Sequence, residues 1–254
     1  MSRKGWEGRG KDKHLMRPYI PNTVTLLNLF FGACAVVAVL YGQFGLCFWL
    51  FFASLTADYF DGLLARSLRV NSNMGKELDS LADMISFGLL PGGVLYMLIR
   101  QSWAGGTEAD GIFWPATPAF LVTLFSALRL AKFNLDSRQT EHFIGLPTPS
   151  STIFCIGLML IVENNSYGWG QAIDHPAFYY GVVVLLSYAL VAELPMFSLK
   201  FKGGGWAGNE VKYIFAGLAI LLLLLLQEAA LSVVIVLYLV LSFILHRSKS
   251  TTSG

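Results

Sequence analysis

Residues 211–246 read VKYIFAGLAILLLLLLQEAALSVVIVLYLVLSFILH, with six consecutive leucines from Leu221 to Leu226 and no charge between Lys212 and Glu228. A helix needs about 20 mostly apolar residues to cross a hydrocarbon core of roughly 30 Å. The stretch therefore holds two spans, 211–227 and 229–246, that abut at Gln227-Glu228. The same criterion applied outward marks six more, at 21–42, 45–68, 77–99, 112–132, 149–165 and 176–195. The span at 149–165 is short, and Pro147 and Pro149 crowd its start. Across all 254 residues, 55% are apolar and 13% charged, and the mean hydropathy is +0.58, which excludes a water-soluble domain. The expected fold class is all-α: a polytopic membrane helical bundle of about eight transmembrane helices, six forming a core and two added.

The distribution of the Lys and Arg residues orients the spans. Arg3, Lys4, Arg9, Lys11, Lys13 and Arg17 precede the first span, which lacks a small-residue cleavage site followed by a soluble domain and so is not a secretory signal. With that segment in the cytoplasm, eight alternating spans place Arg66, Arg69, Lys76, Arg129, Lys132, Arg138, Lys200, Lys202, Lys212, Arg247 and Lys249 on the same side. Seventeen of the 18 basic residues then lie inside, and Arg100 alone lies outside. Both termini are expected in the cytoplasm, in a multi-pass protein of the cell (inner) membrane. The net charge of +2 is too small to indicate a nucleic-acid partner. Cys34, Cys47 and Cys155, an odd set inside apolar runs, read as packing residues rather than a disulfide framework.

No internal repeat is visible, and Lys202-Gly203-Gly204-Gly205 reads as a flexible joint. The expected organisation is a basic N-terminal segment 1–20, a core 21–198, a Gly-rich connector 199–210, two further helices 211–246 that stabilise or dimerise the bundle, and a tail 247–254.

Asp58, Asp61, Asp79 and Asp83 fall at the cytoplasmic ends of the second and third spans. An ionised carboxylate in or near hydrocarbon is costly unless compensated. Asp58 and Asp61 are three residues apart and Asp79 and Asp83 four, so each pair shares a helix face. The polar segment 66–75 reads as a short turn that folds the two helices antiparallel and brings the pairs together. Four facing carboxylates repel one another, so the arrangement makes sense around cations, and oxygen-only ligands favour Mg²⁺, Mn²⁺ or Ca²⁺. Gly62 and Gly75 remove bulk from the carboxylate faces, and Arg66 offers a fork suited to phosphate oxygens. Metal ions, an arginine and bare backbone at one membrane edge describe a diphosphate site.

Written as Asp58-x2-Asp61-Gly62-x2-Ala65-Arg66-x8-Gly75-x3-Asp79-x3-Asp83, the segment resembles the signature of the CDP-alcohol phosphotransferases, with every fixed position filled. These are integral membrane enzymes that move a phosphoalcohol from a CDP-linked donor to an acceptor alcohol. The resemblance implies that Asp58, Asp61, Asp79 and Asp83 bind two divalent ions, while Gly62, Arg66 and Gly75 accommodate the CDP moiety. It also implies that Asp83 takes the proton of the attacking hydroxyl and that Ser72 touches the donor phosphates. Three flanking stretches, 19–25, 129–134 and 143–149, resemble the members that use CDP-diacylglycerol as donor and L-serine as acceptor, with release of CMP. By that likeness Asn22 and Thr25 sit near the cytidine, and Arg129, Asn134 and Thr148 face the serine, whose carboxylate needs a cation such as Arg129. Relatives are commonly homodimers, so a homodimer in contact with membrane lipids is expected.

Three other readings compete. A sibling enzyme could use glycerol 3-phosphate or an inositol phosphate, but a phosphorylated acceptor needs several additional basic groups. A membrane prenyltransferase also binds diphosphate through Asp-rich helices, yet lacks the contiguous Asp-Gly-x2-Ala-Arg segment. A cation carrier would place its carboxylates near the bilayer midplane rather than at one edge. His142 reads as a solvated loop residue, and the Phe and Leu stripes of spans six to eight as lipid-facing or packing surfaces.

Overall fold

The computed structural model describes residues 19–69, 72–104, 111–135, 143–193, 195–196, 205–206 and 209–252. The N-terminal basic residues, Arg138, His142, Lys200, Lys202 and most of the Gly-rich connector lie outside the described residues. Helix α1 (Tyr19–Leu40) and α2 (Phe44–Ser67) form a hairpin. Its turn places Gly42 at φ +69°, with the Gly42 and Gln43 N–H groups donating to Val39 and Ala38 carbonyls at 2.9 Å each. Helix α3 (Asn73–Asp83) runs without a break through a π turn (Met84–Leu89) into α4 (Leu90–Ala104). The remainder comprises α5 (Leu121–Leu135), α6 (Thr148–Asn164), short α7 (Trp169–Ile173), α8 (Pro176–Val191), α9 (Glu210–Leu226) and α10 (Ala230–Thr252). Every expected span coincides with a helix or, for the third, with the continuous α3–α4 rod.

The boundaries differ where backbone chemistry intervenes. The fourth span opens as a 3₁₀ helix, Trp114–Phe120, in which Pro115 suits the first turn and Pro118, inside the helix, cannot donate to an α ladder. The sixth ends at Val191 rather than 195: Ala192 is extended (ψ 139°), and Pro195–Met196 pairs antiparallel with Phe143–Ile144. The polar turn expected over 66–75 is shorter, since α2 continues to Ser67 and α3 already includes Asn73, Met74 and Gly75. Ser72 caps α3, its hydroxyl accepting the Gly75 N–H at 3.0 Å.

The α3–α4 rod is the axis of the bundle. In its most apolar window 78% of residues are buried, against 33% for Tyr19–Leu40 and for Trp114–Leu135 and 22% for Glu210–Leu245. Leu90, Val94, Leu95, Leu98 and Ile99 are fully buried, and α1, α5, α6 and α8 pack around them. Among the described residues, Tyr19–Leu40, the rod Asn73–Trp103, Trp114–Leu135 and Glu210–Leu245 are long and apolar enough to cross a membrane. Helices α6 and α8 are apolar but shorter, and α2 has the length while its last turns carry Asp58, Asp61 and Arg66. On α9, Leu224 is 75% exposed and Leu225 61%, an outward face suited to lipid. Cys34, Cys47 and Cys155 are free, the latter two fully buried as packing residues.

Hydrogen bonds define two ends of the bundle. At one, Asn134 at the end of α5 meets Ser80 on α3, and the strand after α8 pairs with the strand before α6. At the other, Tyr180 Oη donates to the Pro115 carbonyl at 2.6 Å, and Asn164 and Ser166 donate to Glu228 at 3.0 Å each. The last two helices are thus fastened to the rest at the Glu228 turn. Along their length, Ser232 Oγ donates to the Phe154 carbonyl at 2.8 Å, and Gly157 lets α10 approach α6: a Cβ there would collide with the Ser232 backbone nitrogen and hydroxyl.

Candidate active site

The α1–α2 hairpin and the start of α3 converge at the end of the bundle marked by Asn134 and Ser80. Helical spacing puts Asp58 and Asp61 on the inner face of α2, and the Ser72 cap starts α3 so that Asp79 faces them. One carboxylate oxygen from each of Asp58, Asp61 and Asp79 lies within 4.8 Å of the others. Asp83, one turn further along α3, brings its carboxyl into hydrogen-bond contact with Asp58. The structure therefore gathers all four expected acids. Asp61 Oδ2 and Asp83 Oδ1 are buried without a hydrogen-bond partner. Orphaned carboxylate oxygens in such a cluster are costly unless a cation compensates them, and an all-oxygen donor set suits a hard divalent ion. The residues present fit such ions.

A cleft opens beside the cluster, with Asp61 and Asp79 in its wall. Asn22, Thr25, Gly62, Ser72 and Gly75, all singled out in the sequence, line it. Gly62 borders open space, with nothing within 4 Å of where a Cβ would stand, so a ligand can reach its backbone. Gly75 is required for another reason: a Cβ would come within 2.9 Å of Ser72 Oγ and 3.1 Å of Asn22 Oδ1. Arg66 is not in the cleft wall; its Nε donates to the Gly62 carbonyl at 3.0 Å on the exposed surface of α2. The cation that does line the cleft is Lys76, which in the sequence counts only among the basic residues expected on the cytoplasmic side. Its signal was its place in the first turn of α3, directly after Gly75.

The three residues expected at the acceptor are placed differently from one another. Arg129 is buried, 7% exposed, and its guanidinium is within electrostatic reach of Asp83 and Tyr238. Its Nε has no hydrogen-bond partner, and its guanidinium carbon stands 5.9 Å from the Phe133 ring centre. Thr148 is buried at the first position of α6, its carbonyl accepting from Ser151 and Thr152. Asn134 is exposed and donates to Ser80 Oγ at 2.8 Å, tying α5 to the acid-bearing helix. Tyr238 was missed: in sequence it belongs to an apolar stripe of α10 and nothing there separates it from a lipid-facing residue.

Carboxylates at the rim of a membrane bundle, opening on a cleft with a lysine in its wall, define a membrane-embedded enzyme of phosphoryl-group transfer. The chain belongs to the CDP-alcohol phosphatidyltransferase family, whose model matches residues 18–192. Enzymes of this family use divalent cations and transfer a phosphoalcohol from a CDP-alcohol donor to an alcohol acceptor, with CMP as the leaving group. Among similar curated proteins is the CDP-diacylglycerol–serine O-phosphatidyltransferase of Helicobacter pylori strain J99, 30% identical over 226 residues that make up 88% of this chain and 89% of the relative. Proteins of the same name are 31% identical in Bacillus subtilis, over 59% of this chain and 77% of the relative, and 32% identical in Mycobacterium tuberculosis H37Rv, over 70% and 60%.

Proposed function

We propose that the protein transfers the phosphatidyl group of CDP-diacylglycerol to the hydroxyl of L-serine, giving phosphatidylserine and CMP. The observation that carries the reading is the trio Asp58, Asp61 and Asp79, with a carboxylate oxygen of each within 4.8 Å of the others, Asp83 against Asp58, and the buried Arg129 within electrostatic reach of Asp83. The relatives' shared name supports the choice of substrates. Two Mg²⁺ or Mn²⁺ ions held by the four carboxylates would neutralise the diphosphate and stabilise the charge that develops on the departing CMP.

The rest falls to the protein's own side chains. Asn22 and Thr25 receive the cytidine end of the donor, and the open backbone at Gly62, the Ser72 hydroxyl and Lys76 receive its phosphates. Arg129 holds the serine carboxylate, with Asn134 and Thr148 bordering the acceptor site. The serine oxygen forms its bond to the phosphorus bearing diacylglycerol as the bond from that phosphorus to the CMP oxygen breaks, and Asp83 accepts the hydroxyl proton. A carboxylate is a weak base for an alcohol, so the proton moves late, once the attacking oxygen has become acidic. Arg129 is the one buried cation among the described residues, which matches the single negative charge of a serine carboxylate better than a phosphorylated acceptor. The acid-bearing end faces the cytoplasm of the inner membrane, where nucleotide and serine are supplied, and residues 21–198 form the catalytic core of a homodimer.

Purified protein given CDP-diacylglycerol should release CMP with serine and Mg²⁺ or Mn²⁺, and neither with glycerol 3-phosphate nor with an inositol phosphate. Equal release with those acceptors would overturn the choice of serine, and no release with any acceptor would overturn the class. Lys76→Ala should raise the KM for CDP-diacylglycerol about 10–100-fold with little change in the KM for serine, the range expected for one charge-assisted phosphate contact. Arg66→Ala, removing a side chain outside the cleft wall, should change it less. The opposite order in a paired KM measurement would return the phosphate contact to Arg66.

A further inference from the structure

The residue after Asp83 begins the π turn, and that turn is tied down by three neighbouring helices. Thr123 Oγ1 on α5 donates to the Gly88 carbonyl at 2.9 Å, and Thr152 Oγ1 on α6 shares its proton between the Phe87 carbonyl at 3.1 Å and the Thr148 carbonyl of its own helix at 3.0 Å. Within the turn, Ser86 Oγ donates to the Asn28 carbonyl on α1 at 3.2 Å. A π turn widens the helix by one residue and disturbs the regular carbonyl ladder. Pro91 has no N–H to offer the Phe87 carbonyl four residues before it. Buried carbonyls in a membrane bundle need partners from within the protein, and the Thr152 hydroxyl reaches that of Phe87 as the Thr123 hydroxyl reaches that of Gly88. Packing leaves little slack, since a Cβ on Gly92 would collide with the Thr123 hydroxyl and one on Gly32 with Ser86.

The extra residue has a geometric effect. Each residue of an α-helix turns the chain by about 100°. The face of α4 is fixed in the core by Leu90, Val94, Leu95 and Leu98. If Met84–Leu89 closed to a regular α-helix, Asp79 and Asp83 would swing by about 100° away from Asp58 and Asp61. The same polar layer reaches the other acid pair. Ser54 Oγ donates to Asn28 Oδ1 at 2.6 Å, which turns the Asn28 amide nitrogen toward Asp58 Oδ1, 3.5 Å away.

We propose that the π turn, clamped by the hydroxyls of Thr123 and Thr152, sets the rotation of α3 that aims Asp79 and Asp83 into the cluster, so that the two threonines are positioning residues of this enzyme. The proposal rests on the carboxylates being the ion site proposed above. Thr→Val keeps the shape and removes the hydroxyl, whereas Thr→Ser keeps the hydroxyl and removes a methyl group. Mn²⁺ binding by the purified full chain, followed by electron paramagnetic resonance without substrate, should weaken at least about tenfold in Thr123→Val/Thr152→Val, as for other groups that orient metal ligands. Thr123→Ser/Thr152→Ser should bind Mn²⁺ within about threefold of the parent. Parental affinity in the valine pair, or a greater loss in the serine pair, would overturn the proposal and assign the threonines to packing. A parent chain that binds no Mn²⁺ would instead refute the ion site itself. Should the double valine variant not fold, Thr123→Val and Thr152→Val singly carry the same comparison against their serine counterparts.

Discussion

Asp83→Asn should lower kcat for CMP release by about 10²–10⁴, the range a positioned general base contributes. The substitution keeps the size of the side chain and removes its capacity to take a proton. Because Asp58, Asp61 and Asp79 still lie within 4.8 Å of one another, Mn²⁺ binding should fall less than in Asp61→Asn, which breaks that trio. The measurement is kcat at saturating Mn²⁺ and serine, paired with ion affinity for both variants. Turnover within tenfold of the parent at saturating ion would remove Asp83 from the base role. A loss of kcat fully restored by more Mn²⁺ would make it a ligand only.

Arg129→Gln should raise the KM for serine about 10–100-fold and leave the KM for CDP-diacylglycerol nearly unchanged. A hydrogen bond to a charged group contributes about 1.5–3 kcal/mol, and each 1.4 kcal/mol is a factor of ten. The site is sensitive because Arg129 is buried with its Nε unpartnered, between Asp83 on α3 and Tyr238 on α10. Arg129→Lys should recover part of the loss, since it restores the charge without the planar fork. Equal increases in both KM values with a lowered melting temperature would assign Arg129 to the integrity of the bundle.

The acid cluster was legible because it depends only on the helix repeat. Spacings of three and four residues put Asp58 beside Asp61 and Asp79 beside Asp83 whatever surrounds them, and a polar break between two apolar runs marks where the chain turns back to bring the second pair toward the first. The spans were legible for a similar reason, since the hydrocarbon thickness fixes their length. The π turn was not. Met84-Ile-Ser-Phe-Gly-Leu89 reads as ordinary apolar helix in which only Pro91, with no N–H for the Phe87 carbonyl four residues before it, hints at a break, and the hydroxyls that hold the turn arrive from Thr123 and Thr152, 35 and 65 residues from the carbonyls they bind. Arg66 and Lys76 differ for a rotational reason: Arg66, one turn after Gly62, folds back on its own helix, while Lys76, directly after Gly75, lines the cleft. Tyr238 lies outside the family-matched residues 18–192 and reaches the neighbourhood of Arg129 only because Gly157 and Ser232 let α10 close on α6.

The cleft that opens beside Asp61 and Asp79 in a bundle of apolar helices has a kinetic consequence for the proposed reaction. One product is confined to the plane of a leaflet and the other is diluted into bulk water, so the two part company in spaces of different dimension. Reversal requires a re-encounter across that boundary. Rates measured in micelles should accordingly track the mole fraction of lipid donor in the amphiphile, and adding detergent at constant total donor should slow the enzyme as though substrate had been withdrawn.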